Sequence, residues 1–146
     1  MTIVLVHHAE AVGPGVDSQR PLSVRGRAQA EWLAEQVKGA GFTPAAIWHS
    51  GKLRGRQTAE AFYRLCNPFA EFKMVRGLLP DDPPEIVRDV LAGESRDLLL
   101  VGHMPNVAAL AELVSHDRRP FPLHGLVALE RGERGWAEVW RAKQDR

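Results

Sequence analysis

The sequence predicts an α/β fold, a three-layer α/β/α sandwich with a mostly parallel central sheet and a C-terminal edge hairpin. Unbroken runs of Val, Ile and Leu lie within residues 2–6 and 97–102, and such runs are typical of strands buried on both faces of a parallel sheet. Segments with helical spacing of apolar residues separate the predicted strands. Residues 123–142 instead surround a turn, which favours a hairpin.

The first half of the chain contains two predicted β–α units. The strand at residues 2–6 precedes a helix over residues 23–38, for which Ser23 is a suitable N-cap. Residues 45–49 form the second strand, and apolar residues on one face predict a second helix over residues 53–66.

Two further strand–helix units follow. A short strand is predicted at residues 72–75. The acidic and proline-rich segment 81–84 suits the first turn of a helix, whose inward residues are Ile86, Val87, Val90 and Leu91. The strand at residues 97–102 then leads into a fourth helix that starts at residues 104–105.

The C-terminal hairpin consists of strands at residues 123–129 and 136–142, with a turn at residues 131–135. Trp136 and Trp140 are expected to share one face of the last strand. We interpret them as packing residues and not as a platform for stacking bases.

Composition limits the possible functions. The 146 residues fit a single domain over residues 1–146, and a formal net charge of +1 without a basic block argues against a nucleic-acid partner. A lone cysteine, Cys66, excludes an internal disulfide, and no signal peptide or membrane-spanning segment is recognisable. We therefore expect a cytoplasmic monomer that does not associate with membranes.

Histidines follow two of the predicted buried strands. His8 lies just after the first strand, and His103 follows the strand at residues 97–102. In open α/β sheets the reactive site lies beyond the carboxyl ends of the strands, so the two imidazoles meet if these strands are neighbours. A pair of strand-end histidines is less easily explained by structure alone than either histidine would be.

A cationic loop follows the second strand. Arg54 lies at the start of a predicted helix, where helix amides and a guanidinium together suit a phosphate group. Ser50 is most simply an N-cap, His49 a spacer and Arg56 a solvated residue. Two histidines and an arginine favour phosphoryl transfer through a phosphorylated imidazole, with the second imidazole stabilising charge as a cation.

Four ordered motifs resemble the histidine phosphatase superfamily, which includes the phosphoglycerate mutases. They are LVHHAEA at residues 5–11, RPLSVRG at residues 20–26, SGKLRGRQTA at residues 50–59 and VGHMP at residues 101–105. The small size of the chain resembles the SixA-type phosphohistidine phosphatases. The resemblance implies a hydrolase that dephosphorylates its substrate without a cofactor or metal, the substrate being a histidine-phosphorylated signalling protein.

The resemblance also assigns roles. His8 would be the nucleophile that accepts the phosphoryl group, and Arg54 and His103 would hold the phosphoryl oxygens. Arg20 would be a secondary contact, and Ser50, which opens the third motif, belongs with the substrate-binding residues.

One position departs from the family pattern. The arginine that precedes the nucleophile in the family is His7 here, and the loss of one oxyanion donor typically costs about a hundred- to a thousandfold in rate. A protonated His7 is expected to substitute in part, since an adjacent phosphate dianion favours the imidazolium. This departure leaves a catalytically impaired phosphate- or phosphoprotein-binding module as one alternative.

The general acid is the remaining assignment. Asp81 is the candidate, although Asp81 and Asp82 equally suit the cap of the following helix, and a phosphoramidate substrate needs no dedicated acid. A small-molecule phosphomonoesterase is the second alternative. A metal hydrolase that uses His7, His8, His103 and an aspartate is disfavoured, because the neighbouring Arg54 would repel the cation. His124 is expected to be solvated.

Overall fold

Strands and helices alternate along the chain until the last two strands, which pair as a hairpin. The computed structural model describes residues 1–145. Within them the strands are Thr2–His7 (β1), Ala46–His49 (β2), Glu71–Met74 (β3), Leu98–Gly102 (β4), Leu126–Gly132 (β5) and Gly135–Ala142 (β6). The helices are Val24–Gly39 (α1), Leu53–Leu65 (α2), Glu85–Ala92 (α3) and Asn106–Ser115 (α4).

The strands form one sheet in the order β3-β2-β4-β1-β5-β6. β1 pairs in parallel with β4, and His7 lies opposite Gly102. On its other side β1 pairs antiparallel with β5, so that Val6 lies opposite Leu126. The strands that precede the two predicted site histidines are therefore neighbours, and the predicted mostly parallel sheet with an edge hairpin is confirmed.

Helices cover both faces of the sheet. Leu33 of α1 and Phe62 of α2 are fully buried in the cluster on one face, whereas Leu91 of α3 and Leu110 of α4 are buried on the other. Burial of each such side chain contributes about 1.5–3 kcal/mol, so both helical layers are held by apolar contact with the sheet. None of the helices within residues 1–145 combines the length and apolar character that a membrane crossing requires.

The cap of α1 ties this helix to the loop that follows β1. The Ser23 hydroxyl accepts a hydrogen bond from the Gly26 amide at 3.0 Å and donates to the Glu10 carboxylate at 2.9 Å. The Ser23 amide also donates to the Glu10 carbonyl at 3.0 Å. A Cβ atom at Gly26 would overlap that carbonyl, which explains why the second motif ends in glycine.

Helix α3 begins later than the acidic segment suggested. Its N-cap is Pro84, with no side-chain hydrogen bond, so Asp81 and Asp82 do not cap it. Only Val87 and Leu91 of this eight-residue helix are fully buried, and Val90, which was predicted to point inward, is 48% exposed. A short helix that contacts the sheet through one i, i+4 pair leaves its flanking positions in solvent.

The hairpin differs from the prediction in two ways. Strand β5 begins at Leu126, which leaves residues 123–125 in a loop. A register shift pairs Ala128 with Trp140 but Leu129 with Glu138, so β6 contains one extra residue. This bulge breaks the alternation of faces, and Trp136 and Trp140 pack on opposite faces of the sheet instead of sharing one.

We predict that Gly26→Ala destabilises the protein by about 1–3 kcal/mol, because the added methyl group overlaps the Glu10 backbone. The matched control is Gly39→Ala in the same helix, where nothing lies within 4 Å of the new Cβ and replacement of glycine should stabilise by about 0.5–1 kcal/mol. Denaturant unfolding measures both. Equal stability of the two variants would show that α1 does not depend on this close approach.

Candidate active site

Three buried histidines lie at the carboxyl ends of β1 and β4. His7 ends β1, His8 follows it, and His103 follows β4. The ring centroids of His8 and His103 are 4.9 Å apart, and those of His7 and His8 are 4.5 Å apart. The His8 amide donates to the Gly102 carbonyl at 3.1 Å, so the pairing of the two strands continues into the site.

The environment of His8 fixes the position of its proton. Nδ1 lies 2.7 Å from the Ala9 carbonyl oxygen, which can only accept a hydrogen bond, so Nδ1 carries the proton and Nε2 carries the lone pair. Burial is the largest cause that lowers the pKa of His8, to about 4, and Arg54 adds to the effect. His8 is therefore a neutral imidazole with a free Nε2 near pH 7.

His103 is held by Ser50. The Ser50 hydroxyl lies 2.6 Å from Nε2 of His103, and the Lys52 amide donates to the same hydroxyl at 3.3 Å. A Cβ at Gly55 would lie 3.0 Å from the Ser50 hydroxyl, so a small residue here makes room for the pair. Ser50 thus positions His103, while Lys52 is the N-cap residue of α2.

His103 differs from the expected cation. Burial is the largest cause that lowers the pKa of His103, to about 3, and electrostatic repulsion by His8 and Arg54 adds to it. The ring is therefore neutral near pH 7. Its Nδ1 is buried and has no hydrogen-bond partner among the described residues.

The positive charge of the site comes from guanidinium groups. Arg54 lies in the first turn of α2, and its buried Nε also lacks a partner among residues 1–145. Burial and the nearby Arg20 lower the pKa of Arg54. Arg20 adopts a left-handed backbone conformation (φ 52°), and its Nε donates to the Val12 carbonyl at 2.9 Å. Within the described part of the chain neither guanidinium forms an ion pair with a carboxylate.

The polar residues of the third motif anchor the surrounding loops. The Thr58 hydroxyl accepts from the Ala9 amide at 3.0 Å and donates to the Arg54 carbonyl at 2.8 Å. The Gln57 side chain accepts from the Leu22 amide at 2.8 Å. These bonds join the loop after β1 and the second motif to the helix that carries Arg54.

His124 also belongs to the site, which the sequence reasoning missed. Its ring stacks on His7, with centroids 4.7 Å apart and an interplanar angle of 12°. Its Nδ1 lies 2.7 Å from the His8 carbonyl. The predicted hairpin could have indicated this position, because a strand that pairs antiparallel with β1 must start beside the end of β1.

His7 is a neutral imidazole near pH 7 in the protein alone. It is 4% exposed, and burial together with His8, His124, His103 and Arg54 lowers its pKa to about 2. Among residues 1–145 no carboxylate lies within ion-pair distance of its ring to offset these effects.

The candidate general acid, Asp81, lies in a loop that contacts the start of α4, where the Asn106 side chain donates to the Asp82 carbonyl at 2.8 Å. Asp81 is exposed and forms no hydrogen bond or ion pair with the four rings. The Asp82 carboxylate accepts from the Leu79 amide at 2.9 Å and thereby closes a local turn.

The ring nitrogens of the histidine cluster are close enough together to bind a metal ion, but one of them carries a proton. Ring nitrogens of His7, His8 and His124 lie within 4.8 Å of one another. However, Nδ1 of His7 accepts a hydrogen bond from the His124 amide at 2.8 Å, which leaves the proton of a neutral His7 on Nε2. A metal ligand needs a free lone pair, so the three rings as arranged do not fit a three-histidine centre.

Comparison with known structures places the fold. The protein histidine phosphatase SixA complexed with tungstate superimposes with a TM-score of 0.86 at 21% identity, covering 98% of this chain and 97% of that one. A putative phosphohistidine phosphatase SixA from Agrobacterium tumefaciens gives a TM-score of 0.83 at 24% identity, covering 98% and 97%. A third, from Nakamurella multipartitia, gives 0.78 at 22% identity, covering 99% and 96%. At these identities the likeness establishes the fold.

No curated protein sequence is significantly similar to the chain. The sequence model of the histidine phosphatase superfamily (branch 1), in contrast, matches residues 3–78, which include the first three motifs. With this match over more than half of its length, the chain belongs to the histidine phosphatase superfamily.

Proposed function

We propose that this protein is a phosphatase that removes the phosphoryl group from phosphohistidine in another protein, through a phosphohistidine intermediate on His8. The observation that carries the proposal is the hydrogen bond between Nδ1 of His8 and the Ala9 carbonyl, 2.7 Å long. It directs the lone pair to Nε2, and a neutral imidazole nitrogen is a competent nucleophile toward phosphorus.

The proposed reaction has two steps. In the first, Nε2 of His8 forms a bond to phosphorus while the P–N bond of the substrate breaks, and the released imidazole nitrogen takes a proton. In the second, water attacks the phosphorus on His8, the bond to Nε2 breaks, and inorganic phosphate leaves. The proton that water releases replaces the proton that the released imidazole took up in the first step.

Two buried atoms without partners suit the phosphoryl oxygens. Nε of Arg54 is a donor, and Nδ1 of His103 is also a donor if the Ser50 hydroxyl donates to Nε2 of that ring. A buried donor without an acceptor is costly, and an oxyanion would remove that cost. The structural neighbour that is complexed with tungstate, a tetrahedral oxyanion, supports this use of the fold.

Within residues 1–145 no carboxylate forms an ion pair with the site histidines or with Arg54, and this favours a phosphoramidate over a phosphate ester. An alkoxide leaving group gains about a hundred- to ten-thousandfold from a positioned acid, whereas an imidazole nitrogen protonates readily in water. The groove beside Arg54 is open and is lined partly by Lys52, Arg56 and Gln19, which suits a phosphoryl group carried on a protein surface.

His8→Ala is expected to abolish turnover without loss of the fold. Wild-type protein that is quenched during turnover should carry acid-labile phosphate on His8, detected by mass spectrometry at neutral to alkaline pH. His116→Asn is the matched control, since His116 is an exposed histidine in a left-handed conformation that asparagine tolerates. Phosphate found on Cys66 or on an aspartate would refute the proposed nucleophile.

A comparison of substrates tests the proposed class. We expect kcat/KM for a phosphohistidine protein to exceed that for an alkyl phosphate monoester by at least about a hundredfold. Asp81→Asn should change neither value by more than about twofold, because Asp81 is exposed and forms no hydrogen bond or ion pair with the rings. If the ester is turned over as fast as the phosphohistidine protein, and if Asp81→Asn abolishes that ester turnover, the protein is instead a phosphomonoesterase. Phosphate binding without turnover of any substrate would identify a binding module.

Chelation should leave the activity unchanged. The proposed chemistry uses imidazole and guanidinium groups, and His7 in its observed tautomer does not offer a lone pair to a metal at Nε2. Activity is measured after exhaustive treatment with a chelator, beside elemental analysis of the untreated protein. Activity that is lost and then restored by one divalent metal would support the metal-hydrolase alternative.

A further inference from the structure

We infer that His7 acts as an uncharged hydrogen-bond donor to the phosphoryl group through Nε2–H, and that the backbone of His124 is the positioning element that fixes this tautomer. The catalytic consequence of this inference rests on the proposed function. The tautomer itself, and its effect on oxyanion binding, do not.

The first step is the direction of one hydrogen bond. The His124 amide lies 2.8 Å from Nδ1 of His7. A backbone N–H can only donate, so Nδ1 must be the acceptor, and the single proton of a neutral imidazole then resides on Nε2. Protonation of Nδ1 would place two N–H groups against each other.

The second step is that a tight turn holds this geometry. Residues 122–125 close a turn in which the Gly125 amide donates to the Pro122 carbonyl at 3.0 Å, and His124 has a φ of 51°. A Cβ at Gly125 would lie 2.6 Å from the Ala142 carbonyl oxygen, so glycine permits the close approach to β6.

The same turn forms three hydrogen bonds with the end of β1. The His7 amide donates to the Gly125 carbonyl at 2.9 Å, and the His7 ring accepts from the His124 amide. Nδ1–H of His124 donates to the His8 carbonyl at 2.7 Å. The ring of His7 is therefore fixed by backbone contacts and not by a charged partner.

The third step is the charge around the ring. The titratable groups that influence His7 are His8 beyond β1, His103 beyond β4, His124 before β5, and Arg54 on α2. All of them disfavour an added positive charge, in agreement with a pKa lowered to about 2. Because the pKa lies well below its usual value, the neutral ring predominates near pH 7.

Where family members present an arginine, this chain thus presents one donor without charge. An arginine donates two hydrogen bonds to a phosphate and adds a positive charge. The donor strength of His7, in contrast, stays constant across the physiological pH range, and Arg54 with Arg20 must supply the charge that an oxyanion requires.

Nitrogen NMR of the full-length protein labelled with 15N-histidine tests the tautomer directly. The His7 signals, assigned by their loss in His7→Gln, should report Nε2–H from about pH 5 to about pH 8, with or without sulfate. Sulfate is the probe because its charge is constant over this range. His124→Asn should leave the tautomer unchanged, since the donor is the backbone amide and asparagine tolerates the positive φ.

Sulfate affinity tests the donor. His7→Leu should weaken sulfate binding by about ten- to a hundredfold, the loss expected for one hydrogen bond to a charged group. His7→Gln, whose amide nitrogen can replace Nε2–H, should recover most of this loss. Unfolding measurements on both variants identify any loss of the fold, and the wild-type spectrum decides the tautomer without a variant.

Three results would overturn the inference: signals of His7 that titrate between about pH 5 and about pH 8, a proton on Nδ1, or equal sulfate affinity of folded His7→Leu and wild type. Failure of the proposed function gives a different pattern. In that case sulfate binds and the His7 tautomer is as inferred, but phosphohistidine proteins are not hydrolysed.

Discussion

The parallel pairing of β1 with β4 is the interaction on which the rest of the molecule depends. It joins two buried strands of the sheet, which pack against helices on both faces. It also sets His7 opposite Gly102 and continues through the bond from the His8 amide. One register therefore determines both the core and the distance between His8 and His103, because a shift of one residue would turn the imidazoles to the wrong faces.

Burial at the carboxyl ends of β1 and β4 explains the electrostatics of the site. The imidazoles of His7, His8 and His103 are dehydrated and lie near guanidinium groups, so each pKa is lowered and each ring is neutral near pH 7. In neutral rings, the hydrogen bonds decide which nitrogen donates and which accepts. The Ala9 carbonyl makes His8 an acceptor at Nε2, whereas the His124 amide makes His7 a donor there. Neighbouring residues of one type thereby acquire opposite roles.

The sequence was sufficient to predict the fold and the convergence of His8 and His103, because apolar runs and strand-end positions are local signals. It was not sufficient for His124, whose place depends on the pairing of β5 with β1 far along the chain. The extra residue in β6 likewise has no signal in an alternating pattern, and it moved Trp140 to the opposite face from Trp136. The lowered pKa values of His7 and His103 could not be predicted for a similar reason, since dehydration by the folded environment cannot be read from residue identity.

The replacement of arginine by His7 is coupled to the turn before β5. The partly buried amide of His124 needs an acceptor, and Nδ1 of His7 supplies it at 2.8 Å. An arginine side chain has donors only, so at position 7 it would leave this amide without its partner, at a cost of about 1–3 kcal/mol. It would also add a third guanidinium near Arg54 and Arg20, neither of which forms an ion pair with a carboxylate among the described residues. Residue 7 and the path of the turn at residues 122–125 therefore form one unit, and an arginine at position 7 would require both to change.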